Sequence, residues 1–139
     1  MKGIQQWVYN TLERAQANLD KGNIEAAEKI YYDYANDTWS SRSYDHFVFL
    51  RTYAYFLLSF DRNEEALRYL KQASLKRDMP PYDIFELHFT LGQVYYVTGD
   101  RDNAKKTLLK WVEIGEKNKL DLKPEGYAIL ATIYAQDEE

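Results

Sequence analysis

The stretch LGQVYYVTGDRDNAKKTLLKW, residues 91–111, decides the fold. Leu91, Gly92, Tyr95 and Tyr96 recur at three- and four-residue spacing, and Ala104, Leu108, Trp111 and Val112 do the same further on. Between them stands Gly99-Asp100. Glycine suits the left-handed cap that ends a helix, and the aspartate that follows can cap the next one. The stretch therefore predicts two helices joined by a tight turn.

The same pattern recurs along the chain. Small residues in the longer helices, Ala15, Ala54, Gly92 and Ala131, are spaced 39, 38 and 39 apart. Small residues in the shorter helices, Ala27, Ala66 and Ala104, are spaced 39 and 38 apart. The offset from the first set to the second is 12 in every complete unit. Two independent series with one period indicate tandem helix-turn-helix repeats. The small residues mark the place where two antiparallel helices approach most closely, as at Leu91-Gly92 with Ala104. A larger residue there would cost about 1–3 kcal/mol. A single helix pair cannot bury its own apolar face, so repeats stack.

Seven helices are expected, at about 2–20, 24–36, 43–60, 63–77, 82–98, 101–117 and 125–136, with no convincing strand. Gly22, Asp61 and Gly99 end longer helices. Pro80-Pro81 and Pro124 fall at helix starts, where a missing N–H costs least. The fold class is all-α, a right-handed solenoid of three and a half repeats at about 1–40, 41–79 and 80–119, with a lone helix at 124–136. This reads as one domain cut from a longer array. The alternative is that the last helix is a terminal cap; otherwise it presents Tyr127, Leu130 and Tyr134 for self-association.

Composition narrows the function. The chain has 139 residues, 18 basic and 22 acidic, for a net charge of −4, which argues against a general nucleic-acid binder. Without Cys there is no disulfide, thiolate metal site or Cys nucleophile. No apolar run approaches a membrane span, and the N-terminus MKGIQQWVYN lacks the apolar core of a signal peptide. The aromatic content, 3 Trp, 13 Tyr and 6 Phe, is high and suits half-buried or recognition positions. No Gly-rich phosphate loop, H-E-x-x-H or G-x-S-x-G occurs, so no catalytic residue, metal ligand or cofactor is expected. The two histidines, His46 and His88, stand on different helices. His88 beside Leu91 reads as a packed, hydrogen-bonded residue. Ser40-Ser41-Arg42-Ser43 reads as a loop, and Lys71 to Asp78 as a solvated surface. Trp39 lies in that loop, as packing or as an interface ring. Trp111 fills the gap that a long repeat opens.

These residues resemble the tetratricopeptide repeat (TPR) family. Leu91-Gly92, Tyr95, Gly99, Ala104 and Leu108 carry the likeness in unit three. Ala54, Ala66, Leu70 and Ala73 carry it in unit two, with Asp61 where Gly is usual, and Ala15, Gly22, Ala27 and Tyr31 in unit one. The period is longer than the family's 34, and the family's proline near the end of each unit is missing. The resemblance implies a non-enzymatic scaffold that binds a protein or peptide in a concave groove lined by the first helices. Projected onto this chain, that face carries Tyr9, Leu12, Gln16 and Leu19, then Val48, Arg51, Tyr55 and Ser59, then Glu86, Phe89, Gln93 and Tyr96. From these, Tyr9, Gln16, Arg51, Tyr55, Glu86, Phe89, Gln93 and Tyr96 are the expected groove contacts. The family's carboxylate clamp for chaperone tails is absent, since its places carry Leu12, Gln16, Thr52, Glu86 and Thr90. Residues 79–136 also look like repeat proteins encoded beside TonB, ExbB and ExbD components, on Pro80-Pro81, Leu91-Gly92-Gln93-x-Tyr95, Leu108-x-Lys110-Trp111 and Leu130-Ala131-x-x-Tyr134. That likeness implies a periplasmic accessory role. The compartment, cytoplasmic or periplasmic, stays open.

Overall fold

A computed structural model describes residues 3–36 and 42–138. Among these there are seven helices and no strand. Four form a first compact unit: α1 (Gln6–Asp20), α2 (Ile24–Ala35), α3 (Ser43–Ser59) and α4 (Asn63–Ser74). Three form a second: α5 (Pro81–Val97), α6 (Arg101–Lys117) and α7 (Pro124–Asp137). The units divide between Asp78 and Met79, beside the expected start of the third repeat. Trp39 and Ser40-Ser41 lie outside the described residues.

The helix boundaries follow local chemistry. Pro81 and Pro124 stand in the first turns of α5 and α7. Helix α1 begins at Gln6, four residues later than expected, because Gly3 is a poor helix former. Each longer helix of a repeat ends on a left-handed residue: Gly22 (φ 81), Asp61 (φ 58) and Gly99 (φ 90). The chain closes each turn with the same two backbone bonds. Gly22 N–H donates to Leu19 O at 2.9 Å and Asn23 N–H to Asn18 O at 2.8 Å, and Asp61, Arg62, Gly99 and Asp100 repeat the pair. Asp100 also caps α6, its carboxylate accepting from Asn103 N–H at 3.1 Å.

The small residues do what their spacing requires. Ala15, Ala27, Ala54, Ala66 and Ala104 have no exposed surface. Gly92 has no room for a larger residue, and the side chain that closes on it is Leu108. A Cβ there would lie 2.6 Å from Leu108 Cγ, one turn beyond Ala104. Ala131 is exposed, since no further helix of the described chain lies against it.

Two aromatic cores result. In the first unit Phe47, Phe49, Leu50, Leu57 and Leu70 are fully buried. Rings tie the helices together: Tyr34 on Phe49 at 5.1 Å, Tyr31 on Phe56 at 5.3 Å and Tyr53 on Tyr69 at 4.7 Å. In the second unit Trp111 is wholly buried, stacked on Phe85 at 5.6 Å and tilted against Phe89 at 5.3 Å. Two glycines make room: a Cβ on Gly126 would fall on the Trp111 ring, and one on Gly115 would lie 2.7 Å from Phe85. The Trp111 Nε1–H finds no acceptor among the described residues, so packing alone holds the indole.

A polar clamp joins α2, α3 and α4. Glu28 accepts from both terminal nitrogens of Arg62 at 2.8 and 2.7 Å and from the Tyr53 hydroxyl at 2.8 Å. Arg62 also donates to Glu65 at 2.8 and 2.9 Å. Fork-to-fork bonding of this kind is strong for its size. The Arg62 hydrogen bonds hold the Glu28 and Glu65 carboxyls below their ordinary range, and burial raises the Tyr53 phenol.

Two outcomes follow. Asp61 occupies a left-handed backbone at a Cβ penalty that glycine avoids. Asp61→Gly should therefore raise stability by about 0.5–1 kcal/mol, read as a higher melting temperature; a lower one would mean that the Asp61 side chain contributes more than its backbone costs. The Glu28 carboxyl is lower in the folded than in the unfolded chain. Its contribution is then complete above the unfolded value and lost as pH falls through the folded one. Arg62→Gln should lower the melting temperature strongly at neutral pH and little in acid, the two proteins converging. An equal offset at both pH values would count against the clamp.

Candidate functional site

The expected contact residues fall into two sets of four, one in each unit. In the first unit Tyr9 stands on α1, half exposed at 50%, with the Glu13 side chain hydrogen-bonding its phenol and raising its pKa. Gln16 is exposed and donates to Asp20 at 2.9 Å. On α3, Tyr55 is 40% exposed, and the Arg51 guanidinium lies 5.1 Å above the Phe47 ring. Val48, placed on the same face from sequence, is buried in the core.

In the second unit the set is less uniform. Gln93 and Tyr96 are partly exposed on α5. Tyr96 lines an open depression of about 650 Å³ with Val97, Arg101, Asp102 and Gln136. Phe89, expected at the surface, is only 8% exposed and belongs to the core around Trp111. Its position three residues from Glu86 was legible, but the bulk of Trp111 draws the ring inward. Lys123 closes over what remains: its Nζ sits 3.1 Å from Glu86 Oε2 and 4.7 Å from the Phe89 ring centroid. Thus Lys123 brings Glu86 and Phe89 together.

The lone-helix surface also differs from expectation. Tyr127 and Tyr134 are 45% and 43% exposed, but Leu130 is 5% exposed and packs into the second core. Leu130 faces inward because α7 rolls Gly126 and Leu130 onto Trp111. The C-terminal end of α7 is pinned to α6 by Asp137, 3.4 Å from Arg101 and 3.0 Å from Lys105.

The histidines are hydrogen-bonded to main-chain oxygens, His46 Nε2 to Ala35 O and His88 Nδ1 to Ile84 O, each at 2.8 Å. Burial lowers the His88 pKa. Among the described residues no group of three or more His, Cys, Asp or Glu side chains could hold a metal ion, and no helix is long and apolar enough to cross a membrane. Three features escaped the reading of the sequence. One is the Glu28–Arg62 clamp. Another is Asp45, fully buried with Arg42 forked onto its carboxylate at 2.9 Å. The third is Lys123. Only Lys123 carried a signal, a cation directly before a helix-starting proline.

The burial difference separates exposed residues from packing residues. Phe89→Ala should cost about 3–5 kcal/mol of stability, whereas Tyr55→Ala should cost about 1 kcal/mol or less. Denaturant unfolding of both variants checks this; equal losses would place Tyr55 in the core with Phe89.

No family model matches the chain, and no curated protein matches it in sequence. Solved structures do share its fold. PcrH in complex with the chaperone binding region of PopB aligns with a TM-score of 0.60 at 15% identity, over 97% of this chain and 98% of that one. PcrH in complex with the chaperone binding region of PopD aligns with a TM-score of 0.58 at 16% identity, over 99% of this chain and 94% of that one. At such identity the likeness establishes the fold alone: an all-α, TPR-type helical-repeat arrangement, with seven helices among the described residues.

Proposed function

We propose that this chain is a non-enzymatic binding protein that holds a segment of a partner protein against its first-position helices. The observation that carries the reading is the end-to-end likeness to PcrH chains that were themselves crystallised with the chaperone binding regions of PopB and PopD. The exposed Tyr9 and Tyr55 rings, with Gln16, Arg51, Gln93 and Tyr96, supply rigid apolar area and hydrogen-bond donors on α1, α3 and α5, the chemistry that anchors peptides. Phe89 does not stand in the open: it lies in the second core, covered by Lys123. The narrower role beside a TonB-type system rests on the motifs of residues 79–136 alone, and the comparisons add nothing to it.

A second reading is self-association through α7. The exposed Tyr127, Ala131 and Tyr134 favour it, without Leu130. The test is recovery of partner proteins from native extract on immobilised wild type and on Tyr55→Ala/Gln93→Ala. Loss of at least one specific partner, with the melting temperature kept, is the expected result. Equal recovery of every partner would remove the assignment to α3 and α5. Sedimentation of wild type and Tyr134→Glu in parallel decides between the readings, since a dimer dissolved by the substitution would favour self-association.

A further inference from the structure

Lys123 stands where local rules disfavour it. It is the N-cap residue of α7, with extended backbone (φ −72°, ψ 136°), and its side chain caps nothing. Serine, threonine or aspartate would satisfy a helix N–H there, and a cation meets the positive end of the helix dipole. Arg42 and Arg62, at the N-caps of α3 and α4, likewise cap no helix N–H and pair with carboxylates instead, so the position alone does not single out Lys123. What does is a compensating interaction with a ring as well as a carboxylate.

That interaction is on α5. The Lys123 ammonium lies 3.1 Å from Glu86 Oε2 and 4.7 Å from the centre of the Phe89 ring. A carboxylate beside an aromatic face attracts an organic cation twice, through charge and through the ring quadrupole. Glu86 and Phe89 are three apart on one helix, so a single face presents both. Glu86 and Lys123 are reachable, their side chains 24% and 42% exposed, while the Phe89 ring, 8% exposed, lies beneath the ammonium. Other contacts hold α7 as well. Gly126 seats against the Trp111 ring, and Asp137 pairs with Arg101 and Lys105 at the far end. Lys123 is therefore not needed to keep α7 in place.

We propose that Glu86 and Phe89 form a cation site that receives a lysine or arginine side chain of the bound partner segment, and that Lys123 fills it until the partner displaces it. This rests on the segment-binding reading above and names one element of the partner's chemistry.

The experiment selects random displayed peptides on immobilised wild type, Lys123→Ser and Lys123→Ser/Glu86→Gln. Serine is a good N-cap, so Lys123→Ser should melt no lower than wild type. Its peptides should be several-fold richer in lysine and arginine than those from wild type, and the double variant should lose that excess. Lys123→Ser alone carries a net charge of −5 and the double variant −4, so bulk attraction would give the same order. Lys123→Ser/Glu64→Gln, which also carries −4 but keeps Glu86, should retain the excess, and its loss there would overturn the site. Equal basic content from all the proteins would overturn the cation site and leave segment binding standing. No binders from any of them would overturn segment binding and the site with it. A marked fall in the melting temperature of Lys123→Ser would show an anchor rather than an exchangeable cation, and would overturn the proposal.

Discussion

Everything in this chain depends on how closely paired helices can approach. Ala15, Ala27, Ala54 and Ala66 are fully buried on paired helices, and Gly92 lies so close to the Leu108 side chain that a Cβ would collide with it. Interiors pack at crystal-like density, so a single added methyl at such a point must displace something. At Gly92 the displaced group would be Leu108, itself fully buried in the second core. The period of small residues is thus a mechanical requirement, and the turns at Gly22, Asp61 and Gly99 serve it by reversing the chain in the fewest residues.

Close approach leaves the remaining volume to large rings, which explains the unusual aromatic content. Tyr31, Tyr53 and Tyr69 lie in the first core and Trp111 in the second, each occupying a gap that an aliphatic side chain would underfill. Trp111 shows the trade most clearly. Its bulk is accommodated only because Gly126 offers no Cβ, and because Gly115 lets Phe85 and Leu122 close in. The same ring pulls Phe89 and Leu130 inward, so two residues assigned to surfaces become part of the core. Other rings stay outside: Tyr9, Tyr55, Tyr127 and Tyr134 keep about half of their surface exposed, as do Trp7, Tyr32, Phe60 and Tyr82.

Electrostatics then links the helices where apolar contact ends. Arg62 forks onto Glu28 and Glu65, Arg42 onto Asp45, and Lys123 reaches Glu86. The first two join elements near a turn or a helix start and act as braces. All three are N-cap residues whose side chains cap no helix N–H; Lys123 differs in covering an aromatic ring as well as a carboxylate on another helix. Function in a repeat protein resides in such side chains, since the repeat itself is common to unrelated roles.

The sequence by itself determined the helices, their order and the turns between them. Apolar periodicity, prolines at Pro81 and Pro124 and left-handed residues at Gly22, Asp61 and Gly99 act within a few residues, and local rules of that kind are readable in a line of letters. It also set the identities of the exposed Tyr9, Tyr55, Gln93 and Tyr96. Tertiary structure alone decided that Val48, Phe89 and Leu130 turn inward, that the Leu108 side chain seats against Gly92, and that Glu28 and Tyr53 converge from two helices on Arg62 at the start of a third. The reason is geometric. A helical wheel gives the angle of a side chain on its own helix, but burial depends on the volume offered by the facing helix. A single large residue such as Trp111 changes that volume for every neighbour it touches.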